Sequence, residues 1–170
     1  MRLFIAIKLN DDMKAGLASM QEAMKRRGVK GNYTIPANLH ITLAFIGEYD
    51  DPQAVLRAIK QVSLEPFDIR LAGTGTFHSL WWAGVDGGNA LFSYAKRLRH
   101  ALDDAGIPYD HDKFKPHITL IRRPYWKSEA ARDEILAEAA AASEASMTVS
   151  RVALMRSDRK ERGVEYIEIK

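Results

Sequence analysis

The sequence predicts an α+β fold, organised as a single domain over residues 1–170. Three observations carry that expectation. Strand-like and helix-like stretches follow one another as strand, helix, strand, helix, strand pair, helix, strand, helix, strand pair. No linker rich in Pro, Gly or Ser divides the chain. The composition, 46% hydrophobic and 28% charged over 170 residues, suits one sizeable core and is short for two. The near-repeated order of elements also hints at an internal duplication.

Each element has its own signal. Leu3-Phe4-Ile5-Ala6-Ile7 is apolar and rich in strand formers, the pattern of a buried strand. Asp11 or Asp12 can cap the helix that follows, because Met13, Leu17, Met20 and Met24 recur at spacings of four, three and four. Gly28 closes that helix, and core packing is the expected role of its Met stripe. A second strand covers His40 to Ile46. A second helix starts at Asp51-Pro52 and buries Val55, Leu56, Ile59 and Val62; proline is tolerated at the first helical position because that amide has no helical partner. Strands are expected at Phe67 to Ala72 and Thr76 to Val85. A third helix spans Asn89 to Ala105, with Leu91, Ala95, Leu98 and Leu102 on one face and Gly106 after it. Then come a strand at His117 to Ile121, an alanine-rich helix at Ser128 to Ala142, and strands at Met147 to Met155 and Val164 to Ile169.

Composition excludes several classes of function. The longest aliphatic-aromatic run has five residues, against roughly 20 needed to cross a bilayer. It lies between Arg2 and Lys8 and is too short for a signal-peptide core, so a cytoplasmic protein with no membrane partner is expected. The absence of cysteine removes disulfides, thiolate metal sites and cysteine nucleophiles. A net charge of +3 is too mild for a DNA-coating protein. The cations are nevertheless clustered: Lys113, Lys115, Arg122, Arg123 and Lys127 in one stretch, and Arg151, Arg156, Arg159, Lys160 and Arg162 in another. Such clusters suit an anionic ligand in a cleft, or simply a solvated surface.

The strongest signal is a repeated tetrapeptide. His40-Ile41-Thr42-Leu43 and His117-Ile118-Thr119-Leu120 are identical, and each opens an expected strand. Composition alone would give roughly 0.2 chance His-x-Thr matches in a chain of this make-up. On a strand, His and Thr at i and i+2 share one face while Ile and Leu anchor the other. Two such strands facing each other would bring two imidazoles and two hydroxyls to one cleft. One imidazole can act as base while the other acts as acid, and threonine hydroxyls can donate to phosphate oxygens. The pattern suits metal-free in-line displacement at phosphorus. His100 is expected on a helix surface. His111, between two aspartates, is open to charge satisfaction or weak substrate contact, and His78 receives no role.

These segments resemble the 2H phosphoesterase superfamily, and specifically its bacterial and archaeal RNA 2′,3′-cyclic phosphodiesterases, also known as 2′-5′ RNA ligases. The likeness rests on Asn38 to Glu48 and Lys115 to Arg122. It extends to Arg2 to Ala6, to Gly73-Thr74-Gly75-Thr76-Phe77, and to Ser157 and Tyr166. His78 departs from it, since relatives usually carry proline there. The resemblance implies His40 as general acid, His117 as general base, Thr42 and Thr119 as phosphate-binding hydroxyls, and Arg122 near the ligand phosphate. It also implies two pseudo-symmetric lobes, each an antiparallel sheet with outer helices, around a central cleft. No cofactor and no metal are implied, and the expected partner of a monomeric enzyme is RNA or an oligonucleotide with a 2′,3′-cyclic phosphate end.

Three other functions compete. A 2′-5′ RNA ligase would run the reverse chemistry, and only a hydrolysis-to-ligation ratio separates the two. A non-catalytic RNA or nucleotide-binding module could stack bases on Trp81, Trp82, Tyr125 and Trp126, but would not need two groups that titrate near neutrality. A histidine-based metal hydrolase lacks an H-x-x-x-H or carboxylate-rich ligand set.

Overall fold

The N-terminal apolar run becomes the centre of β1 (Arg2–Lys8), and all five of its residues are buried. In the computed structural model, which describes residues 1–170, there follow α1 (Asp11–Arg26), β2 (Lys30–Tyr33), a 3-10 turn (Pro36–Asn38), β3 (His40–Glu48) and α2 (Pro52–Lys60). Next come β4 (Phe67–Phe77), β5 (Leu80–Asp86), α3 (Gly88–Asp104), β6 (His117–Tyr125) and α4 (Glu129–Ala141). The chain ends with β7 (Ser146–Val149), β8 (Ala153–Arg159) and β9 (Val164–Ile169).

The helices bury the stripes their spacing predicts. α1 buries Met13, Leu17, Met20 and Met24, and α3 buries Leu91, Ala95, Leu98 and Leu102. α2 buries Val55, with Leu56, Ile59 and Val62 packed half-buried against the core. The cap of α1 is Asn10, whose side chain accepts the Met13 N–H. Asp11 and Asp12, the expected caps, instead occupy the first turn, where carboxylates oppose the helix dipole favourably.

The elements differ from expectation at several places, and β6 runs on to Tyr125 rather than ending at Ile121. β2 carries no apolar alternation and exists by pairing with β6. β4 continues through Gly73-Thr74-Gly75 with a bulge between Leu71 and Thr74, and the hairpin turns at His78-Ser79 instead. Gly75 is there for close approach, since a Cβ on it would lie 2.2 Å from the Trp82 indole. His78 has φ 27, which proline cannot adopt, so this turn is shaped differently from one with proline. Finally, residues 147–155 form two strands: β7 pairs with β4, while β8 pairs with β1 and β9.

Two antiparallel sheets result, ordered β3-β1-β8-β9 and β2-β6-β5-β4-β7. With β2 set aside the orders correspond: a His-Ile-Thr-Leu strand, then its predecessor, then two more. The connecting helices cross over. α1, between β1 and β3, packs on β6, β7 and α4; α3, between β5 and β6, packs on α2, β3 and β4. One apolar core therefore runs through both lobes. Ile41, Leu43, Ile118 and Leu120 are fully buried in it, and truncating one to alanine would cost roughly 2–5 kcal/mol. No helix is long and apolar enough to cross a membrane.

Candidate active site

Strand alternation sets the histidines out as the pattern requires. His40 and Thr42 are half-buried while Ile41 and Leu43 are buried, and β6 repeats this with His117, Ile118, Thr119 and Leu120. A bulge then shifts the phase in both strands. Ile5 and Ala6 of β1 pair with Ala44 and Thr42, leaving Leu43 extra; Trp81 and Trp82 of β5 pair with Ile121 and Thr119, leaving Leu120 extra. The residue five after each histidine would face away on a regular strand. Past the bulge it returns to the histidine side, which brings Phe45 and Arg122 to the cleft.

The two rings are held alike at one end and differently at the other. His40 Nδ1 donates to the Asn38 carbonyl at 2.7 Å, and His117 Nδ1 to the Lys115 carbonyl at 2.6 Å. A carbonyl only accepts, so Nδ1 carries the proton in both rings and Nε2 is left as the basic nitrogen. His40 Nε2 lies 2.9 Å from Thr42 Oγ1, whereas His117 Nε2 has no protein partner. His40 stands between Phe4 (5.0 Å between ring centroids) and Tyr166 (5.2 Å). His117 meets the Phe77 ring at 5.0 Å in a T-shaped contact.

Both histidines are held below the ordinary value of 6.5. Burial is the main cause for each, opposed by the bond to the upstream carbonyl and reinforced by the Arg122 charge. His40 also feels His117. Two cavities share Thr42 and Phe45 and form the two ends of one cleft. The first, about 730 Å³, contains His117; the second, about 1040 Å³, contains His40 and Arg122. The second is rimmed by Arg2, Arg123, Arg159 and Lys160, a cationic surround suited to an anion. Thr119 lies on the histidine face of β6, across from Trp82, and lines neither cavity.

Comparison with known proteins fits this arrangement. The family model for the 2'-5' RNA ligase superfamily matches residues 15–161. The chain belongs to the 2'-5' RNA ligase superfamily. A relative in Methanothermobacter thermautotrophicus, named RNA 2',3'-cyclic phosphodiesterase, is 26% identical over 99% of this chain and 96% of its own. One in Thermus thermophilus with the same name is 34% identical over 72% of this chain and 69% of its own. Among solved structures, a Thermus thermophilus protein superposes with a TM-score of 0.78 at 29% identity, covering 100% of this chain and 96% of that one. Escherichia coli LigT in its apo form shares the fold, with a TM-score of 0.79 at 23% identity over 99% and 94% of the two chains.

Several contributors to this superfamily member's cleft escaped the sequence reading. The Asn38 and Lys115 carbonyls are backbone groups and leave no residue-type signal. Phe45 was legible only as strand filler, because the bulge that turns it inward depends on tertiary pairing. Tyr166 and Ser157, noted for their likeness alone, line the His40 cavity. The proposed stacking aromatics do not form a platform. Trp81 is buried and packs on Trp126 at 5.1 Å, while Tyr125 is exposed. His100 is exposed and lies 3.5 Å from Asp104. His111 stacks on Tyr109. No three His, Asp or Glu side chains converge as metal ligands.

Proposed function

We propose that this chain is a hydrolase that opens 2′,3′-cyclic phosphates at RNA 3′ ends to 2′-phosphomonoesters, and that residues 1–170 act as one internally duplicated domain. The observation that carries the reading is the pair of imidazoles, each fixed through Nδ1, with Arg122 close enough to act on both. Relatives named RNA 2',3'-cyclic phosphodiesterase support the choice of substrate.

In this reading water attacks phosphorus in line with the departing O3′. His117, with its free Nε2, takes the proton of water as the new P–O bond forms. His40 in its protonated form gives a proton to O3′ as the P–O3′ bond breaks. Thr42 couples to that step. A neutral His40 Nε2 accepts the Thr42 O–H; a protonated one no longer accepts, which frees the threonine hydrogen for a phosphate oxygen while the Nε2 proton is the one given to O3′. Arg122 and Thr119 would hold the remaining phosphate charge, the guanidinium through charge-assisted bonds.

The test is a short oligoribonucleotide ending in a 2′,3′-cyclic phosphate, incubated with excess EDTA and analysed by phosphorus NMR. A 2′-phosphate product formed at undiminished rate is expected. A 3′-phosphate product would exchange the two histidines' roles. Activity lost in EDTA and restored by one divalent metal would overturn the mechanism.

A further inference from the structure

A second groove combines flat rings with cations, the pairing that holds single-stranded nucleic acid. Its floor is a stripe of α3 beside the buried one: Phe92, Lys96, Arg99 and Asp103 recur at spacings of four, three and four. Its wall is the segment between α3 and β6, which supplies Tyr109, Lys113 and Phe114 around about 650 Å³, enough for a nucleotide. Phe92 is 50% exposed, and its ring meets the edge of Phe114 at 5.5 Å.

The polar groups there divide into occupied and free. Arg99 donates to the Leu43 and Asp112 carbonyls and lies 5.7 Å from the centres of both the Tyr109 and Phe114 rings. Asp103 accepts the Tyr109 hydroxyl. Lys96 and Lys113 are exposed and make no ion pair. The groove is continuous with the catalytic cleft, because Arg99, Lys113 and Phe114 also line the cavity that contains His117.

We propose that this groove is a subsite for an upstream nucleotide of single-stranded RNA, with a base stacked on the exposed Phe92 ring beside Phe114 and its phosphate met by Lys96 and Lys113. The inference rests on the phosphodiesterase reading: with its terminal phosphate between the histidines, an RNA has only 5′ nucleotides left to place. An apolar peptide would leave two lysines unmatched.

The experiment measures binding of two probes, a fluorescent single-stranded oligoribonucleotide ending in a 2′-phosphate and the corresponding 2′-phosphorylated mononucleotide. Phe92→Ala, a change at an exposed ring, should weaken the oligomer roughly tenfold, within the range for one lost base stack, and leave the mononucleotide unchanged. Lys96→Ala should lower the oligomer's salt-dependence slope by roughly 0.7, the value for one single-strand phosphate contact. Unchanged oligomer affinity in Phe92→Ala overturns the proposal, as does equal weakening of both probes. Hydrolysis of the same oligoribonucleotide ending instead in a 2′,3′-cyclic phosphate is followed in parallel. Its absence in the unmodified protein, with length-dependent binding intact, would reject the phosphodiesterase reading and leave the groove standing.

Discussion

The two His-Ile-Thr-Leu strands share their scaffolding and differ in what they present to the cleft. Each histidine bonds the carbonyl two residues upstream, and each strand bulges at its leucine. Each bulge is also clamped by a helix that lies in sequence between strands of the other sheet. Gln21 of α1 donates to the Leu120 carbonyl at 2.9 Å, and Arg99 Nε of α3 donates to the Leu43 carbonyl at 3.2 Å. Past the bulges the likeness ends. The fifth position after the histidine is Phe45 in one strand and Arg122 in the other, and only His40 is bonded to its threonine. Similar backbone geometry with unlike side chains places two similar rings in different surroundings, the asymmetry that the proposed acid–base pair requires.

Removing either ring should have the largest effect. His40→Ala and His117→Ala should each lower kcat by roughly 10² to 10⁴, the range for a lost general acid or base. In kcat/KM profiles, His117→Ala should lose the acidic limb and His40→Ala the basic limb. The reverse assignment of limbs would break the distinction between a bonded acid and a free base.

The fifth positions should separate next. Arg122→Ala should raise KM roughly 10- to 100-fold, as expected when charge-assisted bonds to a phosphate are lost, with a smaller change in kcat. Phe45→Ala removes a ring against which Arg2 lies at 4.7 Å, but no charge. Its KM should keep the salt dependence of the unmodified protein, which Arg122→Ala should lower. Equal kcat losses in Arg122→Ala and the histidine variants would mean that Arg122 stabilises the transition state.

How much of this was legible in the sequence follows from how local each cause is. The histidines and threonines were, because a period of two is a local property and a repeated tetrapeptide is rare. Arg122 was placed near the ligand only by likeness, since alternation alone puts an i+5 residue on the far face and the bulge that corrects this depends on pairing with β5. The helices were legible from stripes such as Leu91, Ala95, Leu98 and Leu102. β2 was not, because Lys30–Tyr33 has no apolar side to bury. The split at residues 150–152 was hidden because strand propensity does not reveal which sheet a strand joins.

The clamps give a smaller, structural contrast. Gln21 is buried, and its amide also donates to the Thr34 carbonyl at 2.9 Å. Gln21→Leu would remove both bonds, and although Thr34 N–H still reaches the Leu120 carbonyl, a cost of roughly 1–3 kcal/mol is expected in denaturant titration. Arg99→Ala loosens the matching clamp at a less buried position and should cost less. If the two variants proved equal, the clamps would be energetically as alike as the bulges they hold.

The finest contrast is in pH. With ordinary histidines, kcat/KM would peak between roughly pH 6 and 8. Here burial and the Arg122 charge hold both rings below 6.5, so the singly protonated pair is most populated on the acid side of that value. Because kcat/KM reports the free enzyme, its maximum should lie below 6.5, while a bound phosphate anion should move the kcat profile upward. Arg122→Ala removes one cause of the depression and should shift the kcat/KM maximum to higher pH; Phe45→Ala should not. The same shifts carry a stability consequence of definite sign. The unfolded chain binds protons to these histidines at higher pH than the folded one, so their contribution is fully present above about 6.5 and is lost as pH falls through the lower folded values. Melting temperatures measured between pH 5 and 8 should fall on the acid side, and less steeply in His40→Ala, where the more strongly enclosed ring is gone. A kcat/KM maximum above pH 7 with chemistry rate-limiting, or an unchanged maximum in Arg122→Ala, would show that the guanidinium does not set the titration of the pair.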